Sequence, residues 1–246
     1  MELLKAHRTI RKYKSTVIAD EILTDLLESG IRASNTGNMQ LYSIIVTKNI
    51  EKKAALAPLH FNQSMVVQAP LVLTICFDFK RFSDWCVSNN TLAHFNDLLW
   101  LLNGTIDASV LAQSICVAAE SYGLGICYLG TTLYNAQEIS EVLNLPVGVI
   151  PVTTLTIGYP ELVPELTDRL PLKAVVHFEE YKGYSVTELA EIYREKENLE
   201  SSKQFVKENN KATLAQVFTE VRYKDSDSDY FSEKLLKMLR KQGFGF

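Results

Sequence analysis

The sequence holds no C-x-x-C pair and no histidine at a spacing that would complete a zinc site; its four cysteines, Cys76, Cys86, Cys116 and Cys127, stand singly. Neither a structural metal nor a disulfide framework is expected from such a pattern. Cys76, Cys116 and Cys127 lie in apolar runs (Leu71–Phe77, Ser114–Val117, Gly125–Tyr128), where a cysteine serves as a small buried hydrophobe. Glycine and proline number only 11 and 7, and no Gly/Ser-rich or Pro-rich tract occurs, which excludes a long linker or stalk. A basic excess is missing as well: 25 Lys and Arg against 29 Asp and Glu leave a net charge of -4. Without a general positive field a nucleic-acid partner is not expected, and any bound anion must be met by cations gathered locally. Met1–Lys14 is basic but carries no secretory apolar run, and polar residues or prolines interrupt the longer apolar segments. The expectation is a cytoplasmic protein with no membrane partner.

The usual marks of side-chain catalysis are also absent. There is no G-x-S-x-G elbow and no P-loop, and His7, His60, His94 and His177 have no triad-like surroundings. Gly123 and Gly125 follow a helical segment rather than a strand, and the next glycine, Gly130, comes too late for a dinucleotide fingerprint. An enzyme with this sequence would leave the chemistry to a cofactor.

What is present reads as alternating helices and strands. Ile22, Leu23, Leu26, Leu27 and Ile31 recur at helical spacing, predicting a helix over Glu21–Ala33 with Asp20 as its N-cap. The polar loop Ser34–Gln40 leads into a β-rich run, Leu41–Lys48. Leu71–Phe77 is continuously apolar behind Pro70, as a strand covered on both faces would be, and should be central. Asp107–Tyr122 contains no Gly or Pro and is apolar nearly all round, which predicts a core or subunit-interface helix and hence a homodimer. Gly123 would cap it, and Gly130 marks a close approach of backbone to something else. Ile150–Ile157 has the β-branched content of a further strand, and Val186–Lys196 and Tyr230–Lys241 are amphipathic helical patterns in a charged tail. With 47% hydrophobic residues the chain can bury one large core or two modest ones.

Three constellations could carry chemistry. In His7-Arg8-Thr9-Ile10-Arg11-Lys12-Tyr13 two arginines three apart can aim forked cations at one phosphate, or form a solvated basic face. In Ser34–Gln40, the amides of Asn35, Asn38 and Gln40 can donate to and accept from the edge of a planar heterocycle, or simply make a polar turn. The third is the segment Ala119–Thr131, with its three glycines.

Taken in order, these segments resemble the FMN-dependent nitroreductase/flavin reductase family, in particular its NADPH-preferring branch with a helical C-terminal extension. The likeness runs through His7–Tyr13, Ala33–Gln40, Gln63–Val72, Ala118–Gly125, Tyr128–Thr131, Thr154–Pro160, Arg169–Pro171 and His177–Tyr181, nearly the whole chain. It implies an α+β nitroreductase-like fold, a mostly antiparallel sheet flanked by helices. The domain would be single over residues 1–246, with a flavin-binding core to residue 180 and a helical extension over 181–246. It implies an enzyme in which FMN takes hydride from NADPH or NADH and passes it to nitroaromatics, quinones or flavins; a non-catalytic flavin- or phosphate-binding protein on the same fold is the alternative. Position by position, His7, Arg8, Thr9, Ile10 and Arg11 would meet the FMN phosphate and ribityl region. Asn35, Gln63, Ser64 and Met65 would meet the flavin, and the turn Tyr128, Leu129, Gly130, Thr131 would bring main chain to its ring. Arg169 would add a cation, alone in Thr167-Asp168-Arg169 where the family has K-P-R. Lys211, with Lys203 and Lys207 nearby, is the candidate for the coenzyme 2′-phosphate. The acceptors implied are small aromatics or quinones.

Overall fold

A continuous apolar run can be fully desolvated only in the middle of a sheet, and that is where Leu71–Asp78 (β2) lies, buried at every position. The computed structural model describes residues 1–246 and divides them into two compact units, residues 1–165 with 232–246 and residues 166–231. In the first, β1 (Tyr42–Thr47), β2, β3 (Gly125–Leu129) and β4 (Val149–Gly158) form one antiparallel sheet in the order β1-β2-β4-β3. Its registers pair Ile44 with Ile75, Leu73 with Leu155 and Ile126 with Ile157, so β-branched and leucyl side chains stack across the strands. The α+β architecture and the central place of β2 agree with the sequence.

Helix α1 spans Asp20–Ile31. Asp20 does not cap it: the N-cap is Ala19, without a side-chain bond, and the Asp20 carboxylate instead pairs with Lys48 at 2.6 Å. Short helices α2 (Ile50–Leu56) and α3 (Lys80–Ser88) follow β1 and β2. The long helix α4 runs from Leu98 to Ser121, starting nine residues before the sequence pattern suggested, with the Asp97 carboxylate accepting from Trp100 N. The glycine that argues against helix, Gly104, is there for packing: a Cβ would lie 2.1 Å from Cδ2 of fully buried Phe77. Gly104, Ala108, Leu111, Ile115 and Ala119 form a buried stripe that packs on α1 and over the sheet. By length and composition α4 would suffice to cross a membrane, but this stripe is core. Gly123 ends the helix with φ +71°, its N–H donating to Glu120 O, as expected of a left-handed cap residue.

Helix α5 (Ala136–Leu143) precedes β4. In the second unit α6 (Val186–Asn198) opens with a capping box, Ser185 with Glu188, and α7 (Glu200–Glu208) leads to a turn boxed by Thr213 and Gln216. Ile192, Leu214 and Val217 are buried there, and Arg222 lies over the Phe205 ring at 4.6 Å. Helix α8 (Asp225–Lys241) begins five residues before the predicted pattern. From Ser232 onward the chain belongs to the first unit, where Met238, Leu239 and Phe244 join the core cluster and Gln242 Oε1 accepts from Gly148 N at 2.7 Å. All four cysteines are free and buried, and burial pushes the Cys76 and Cys116 thiols up to about 12. Cys76, Cys116 and Cys127 are the small buried hydrophobes the sequence suggested, and Cys86 is buried with them.

Candidate active site

The N-terminal segment is held by its apolar and phenolic residues, which leaves its cations free to act. Ile10 is buried and its N–H donates to Ile126 O at 2.8 Å, beside the parallel bridge between Thr9 and Ile126. Tyr13 OH donates to Ile10 O at 2.6 Å and bonds Thr156 Oγ1 at 2.8 Å. Gly125 makes this approach possible, since a Cβ there would stand 2.3 Å from Ile10 Cγ1. Arg8 and Arg11 flank the anchor. Arg8 donates through Nη1 to Ala6 O, while its Nε is buried without any hydrogen-bond partner. Arg11 is exposed and bears on the Cys127 thiol, pulling its pKa down against the upward push of burial. Neither guanidinium meets a carboxylate in a chain that carries more acids than bases. His7 turns to Glu120, Nδ1 to Oε1 2.6 Å.

Two further predicted segments reach the same place. Ile10, Met65, Cys127 and Leu129 share one apolar cluster, so the N-terminal segment, the Gln63-Ser64-Met65 stretch and the end of β3 are neighbours. Met65 is buried, Gln63 half-buried and Ser64 exposed, with Gln63 N–H donating to His60 O. His60 is fully buried and its Nδ1 bonds Thr131 Oγ1 at 2.8 Å, tying this stretch to the turn after β3; its Nε2 has no partner. Desolvation lowers the His60 pKa to about 4, so the ring is neutral. In the turn, Leu129 is buried and Tyr128 donates to Gln113 Oε1, while around Gly130 a Cβ would meet nothing within 4 Å. No part of the chain approaches Gly130 closely, so the main chain there is open. Lys53, buried and with its pKa lowered by desolvation, donates to Ala69 O at 2.7 Å and fixes the far end of the Gln63 stretch.

The polar loop is pinned from α4. Asp107, 4% exposed, accepts Thr36 N on both carboxylate oxygens and Thr36 Oγ1 on one, each at 3.0 Å. Asn35 Oδ1 accepts from Gln40 N, and Asn38 and Gln40 adopt φ +54°. Arg81 donates to Gln40 O and to Tyr42 O. Two predicted cations lie in the second unit. Arg169 donates to Thr167 Oγ1 at 2.7 Å and to Asp168 O, while the Asp168 carboxylate is taken by Lys196 at 2.8 Å. Lys211 pairs with Glu220 at 2.7 Å and Lys203 with Glu200 at 2.9 Å.

Reasoning on the sequence missed His60, Asp107 and Glu120 as partners of site residues. Glu120 stands inside the Ala118–Gly125 motif, while nothing in the sequence marks the other two.

The buried Arg8 Nε lacks a partner, and around Gly130 the main chain is open. Residues 4–159 match the nitroreductase family. A Bacteroides fragilis protein of known structure, assigned as an oxidoreductase, is 49% identical with a TM-score of 0.98, covering 99% of each chain. The FMN reductase [NAD(P)H] of Bacillus subtilis is 31% identical over 98% of this chain and 96% of its own. The Vibrio harveyi NADPH:FMN oxidoreductase, solved in complex with NAD+, is 28% identical with a TM-score of 0.75, covering 88% of this chain and 94% of its own. The chain belongs to the nitroreductase family.

Proposed function

We propose that this protein is an FMN-dependent NAD(P)H oxidoreductase that reduces nitroaromatics, quinones or flavins by ping-pong hydride transfer, working as a cytoplasmic homodimer. The observation that carries this reading is the buried, unpartnered Arg8 Nε with Arg11 three residues on, two guanidiniums without an acid in a chain of net charge -4. A dianionic phosphate supplies the missing acceptor. The names of the relatives, FMN reductase and NADPH-flavin oxidoreductase among them, support the choice of flavin.

When bound, FMN supplies the redox chemistry, taking hydride from the nicotinamide and giving it to the acceptor. The chain's own residues bind and orient. Arg8 and Arg11 hold the phosphate, with His7, Thr9 and Ile10 lining its approach and Arg169 assigned as a further cation. Asn35, Gln63, Ser64 and Met65 meet the flavin, and the Tyr128, Leu129, Gly130, Thr131 turn offers main-chain groups, with Thr131 fixed by His60. For the coenzyme, Lys211 remains the candidate for a 2′-phosphate, which would have to draw it away from Glu220; Lys207 nearby meets no acid. The dimer rests on α4, whose Leu98, Leu102, Ile106 and Val110 are exposed on one face at a spacing of four, an apolar strip for a second copy.

The rival is a non-catalytic phosphate or flavin binder, which an acid beside Arg169, Asp168, would favour. That acid is neutralised by Lys196. Two measurements test the proposal: the visible spectrum of the purified protein, expected to show flavin bands, and NADPH oxidation with a quinone acceptor, expected to turn over. A colourless protein that FMN does not bind would end the flavin reading. A yellow protein with no turnover on any quinone or nitroaromatic would favour the rival.

A further inference from the structure

Cys116 and Glu120 are four residues apart on α4, which places both on one helix face. His7 arrives opposite them from the segment anchored by Ile10. One ring nitrogen of His7, Cys116 Sγ and a Glu120 carboxylate oxygen all lie within 4.8 Å of one another. Glu120 Oε1 is bonded to His7, but Oε2 is buried and has no partner. A desolvated carboxylate with one oxygen unsatisfied is costly, and the hydrogen bond to His7 answers only half of it. The His7 side chain is 29% exposed and that of Glu120 11%, so an ion can enter from the His7 side while the rest of the cluster stays dry.

We propose that His7, Cys116 and Glu120 form a three-ligand site for a divalent cation of the zinc class, with the fourth position open to water. The nitrogen, sulfur and oxygen donor set is the borderline-soft kind that zinc accepts and magnesium or calcium do not. Zinc bond lengths in a tetrahedron require about 3.3 Å between the nitrogen and oxygen ligands and about 3.5 Å between nitrogen and sulfur. The His7–Glu120 pair must therefore open by less than about 1 Å, which side-chain rotation supplies. Binding exchanges the Cys116 thiol proton for the metal: the S–H bond breaks, a sulfur–metal bond forms, and the proton leaves to solvent. Thiolate and carboxylate together then cancel the dication, and Oε2 gains a positive neighbour. The cation would clamp the N-terminal segment to α4. It has no part in hydride transfer; because His7 also stands beside the proposed phosphate site, metal binding is read from the cation itself and not from flavin retention or turnover.

The test is a titration of the chelator-treated, otherwise intact protein with Co2+, a spectroscopic substitute for Zn2+. One equivalent should produce ligand-field bands at the red end of the spectrum, beyond oxidised flavin, with release of about one proton, and added Zn2+ should abolish them. Cys116→Ser and Glu120→Gln should each weaken binding about tenfold or more with unchanged circular dichroism. Absence of saturable bands in the wild-type protein overturns the proposal, whether or not the variants fold. Bands that persist unchanged in Cys116→Ser also overturn it, by placing the ion elsewhere.

Discussion

Replacing Asp107 by alanine should unfasten the loop 34–40 and cost about 3–4 kcal/mol of stability. The carboxylate is buried and takes three hydrogen bonds from Thr36, two from its N–H and one from its hydroxyl, all at 3.0 Å. Bonds to a charged acceptor contribute about 1.5–3 kcal/mol each, but these share one carboxylate and one partner, so they do not add. The unpaired Thr36 donors and the lost acceptor together give a loss of about 3–4 kcal/mol. For a protein of this length that corresponds to a fall in Tm of roughly 6–15 °C. Asp107→Asn keeps one acceptor oxygen but turns an NH2 toward the Thr36 donors, and should fall between wild type and alanine. The loop itself should report the change, because Gly37, Asn38 and Gln40 sit at φ +61°, +54° and +54°, a backbone that Asp107 holds at Thr36 while Asn35 and Arg81 hold it at Gln40. Thermal unfolding and hydrogen exchange at the Thr36 amide measure the two effects. A loss below about 1 kcal/mol with the amide still protected would refute the reasoning.

Other consequences follow from packing and burial. Gly104→Ala places a methyl 2.1 Å from the Phe77 ring, which is walled in on all sides, so chemical denaturation should show about 1–3 kcal/mol of destabilisation despite alanine's better helix propensity. His60, neutral in the fold with a pKa of about 4, takes up a proton at about 6.5 when unfolded. Between those values the unfolded state binds more protons, so stability falls as pH drops, by about 3 kcal/mol at pH 4; His60→Gln should flatten the curve over this window, and an unchanged slope would remove His60 as its source. On the exposed face of α4, Leu102→Asp with Ile106→Lys should yield a monomer by light scattering, whereas a wild-type monomer at micromolar concentration would remove the dimer.

Much of the fold could be read from hydrophobic periodicity. The unbroken run Leu71–Phe77 led directly to the central strand, and the β-branched stretch before Gly158-Tyr159-Pro160 to β4. The start of α4 could not, because Gly104 looks like a helix breaker until the Phe77 ring that requires it is in view. Asp20 has the chemistry of a cap, yet Lys48, distant in sequence, claims its carboxylate. The return of residues 232–246 to the first unit left no trace in a charged amphipathic pattern that fits any surface helix. Within the candidate site, the arginines and glycines draw attention by type and order, since a phosphate or a close backbone approach would call for those residues. His60 and Asp107 act by being buried against Thr131 and Thr36, and burial of a single polar residue is decided by distant parts of the chain.

The central claim, that the N-terminal arginines retain a flavin phosphate, is tested most directly by titrating FMN into flavin-free wild-type, Arg8→Ala and Arg11→Ala proteins and following flavin fluorescence. On this account each guanidinium would make a charge-assisted contact, so each variant should bind FMN on the order of ten- to a hundredfold more weakly, about 1.5–3 kcal/mol. Excess FMN should restore much of the lost NADPH oxidation, because the arginines retain the cofactor and do not take part in hydride transfer. Variants that purify yellow with wild-type FMN affinity would contradict the account and place the phosphate elsewhere.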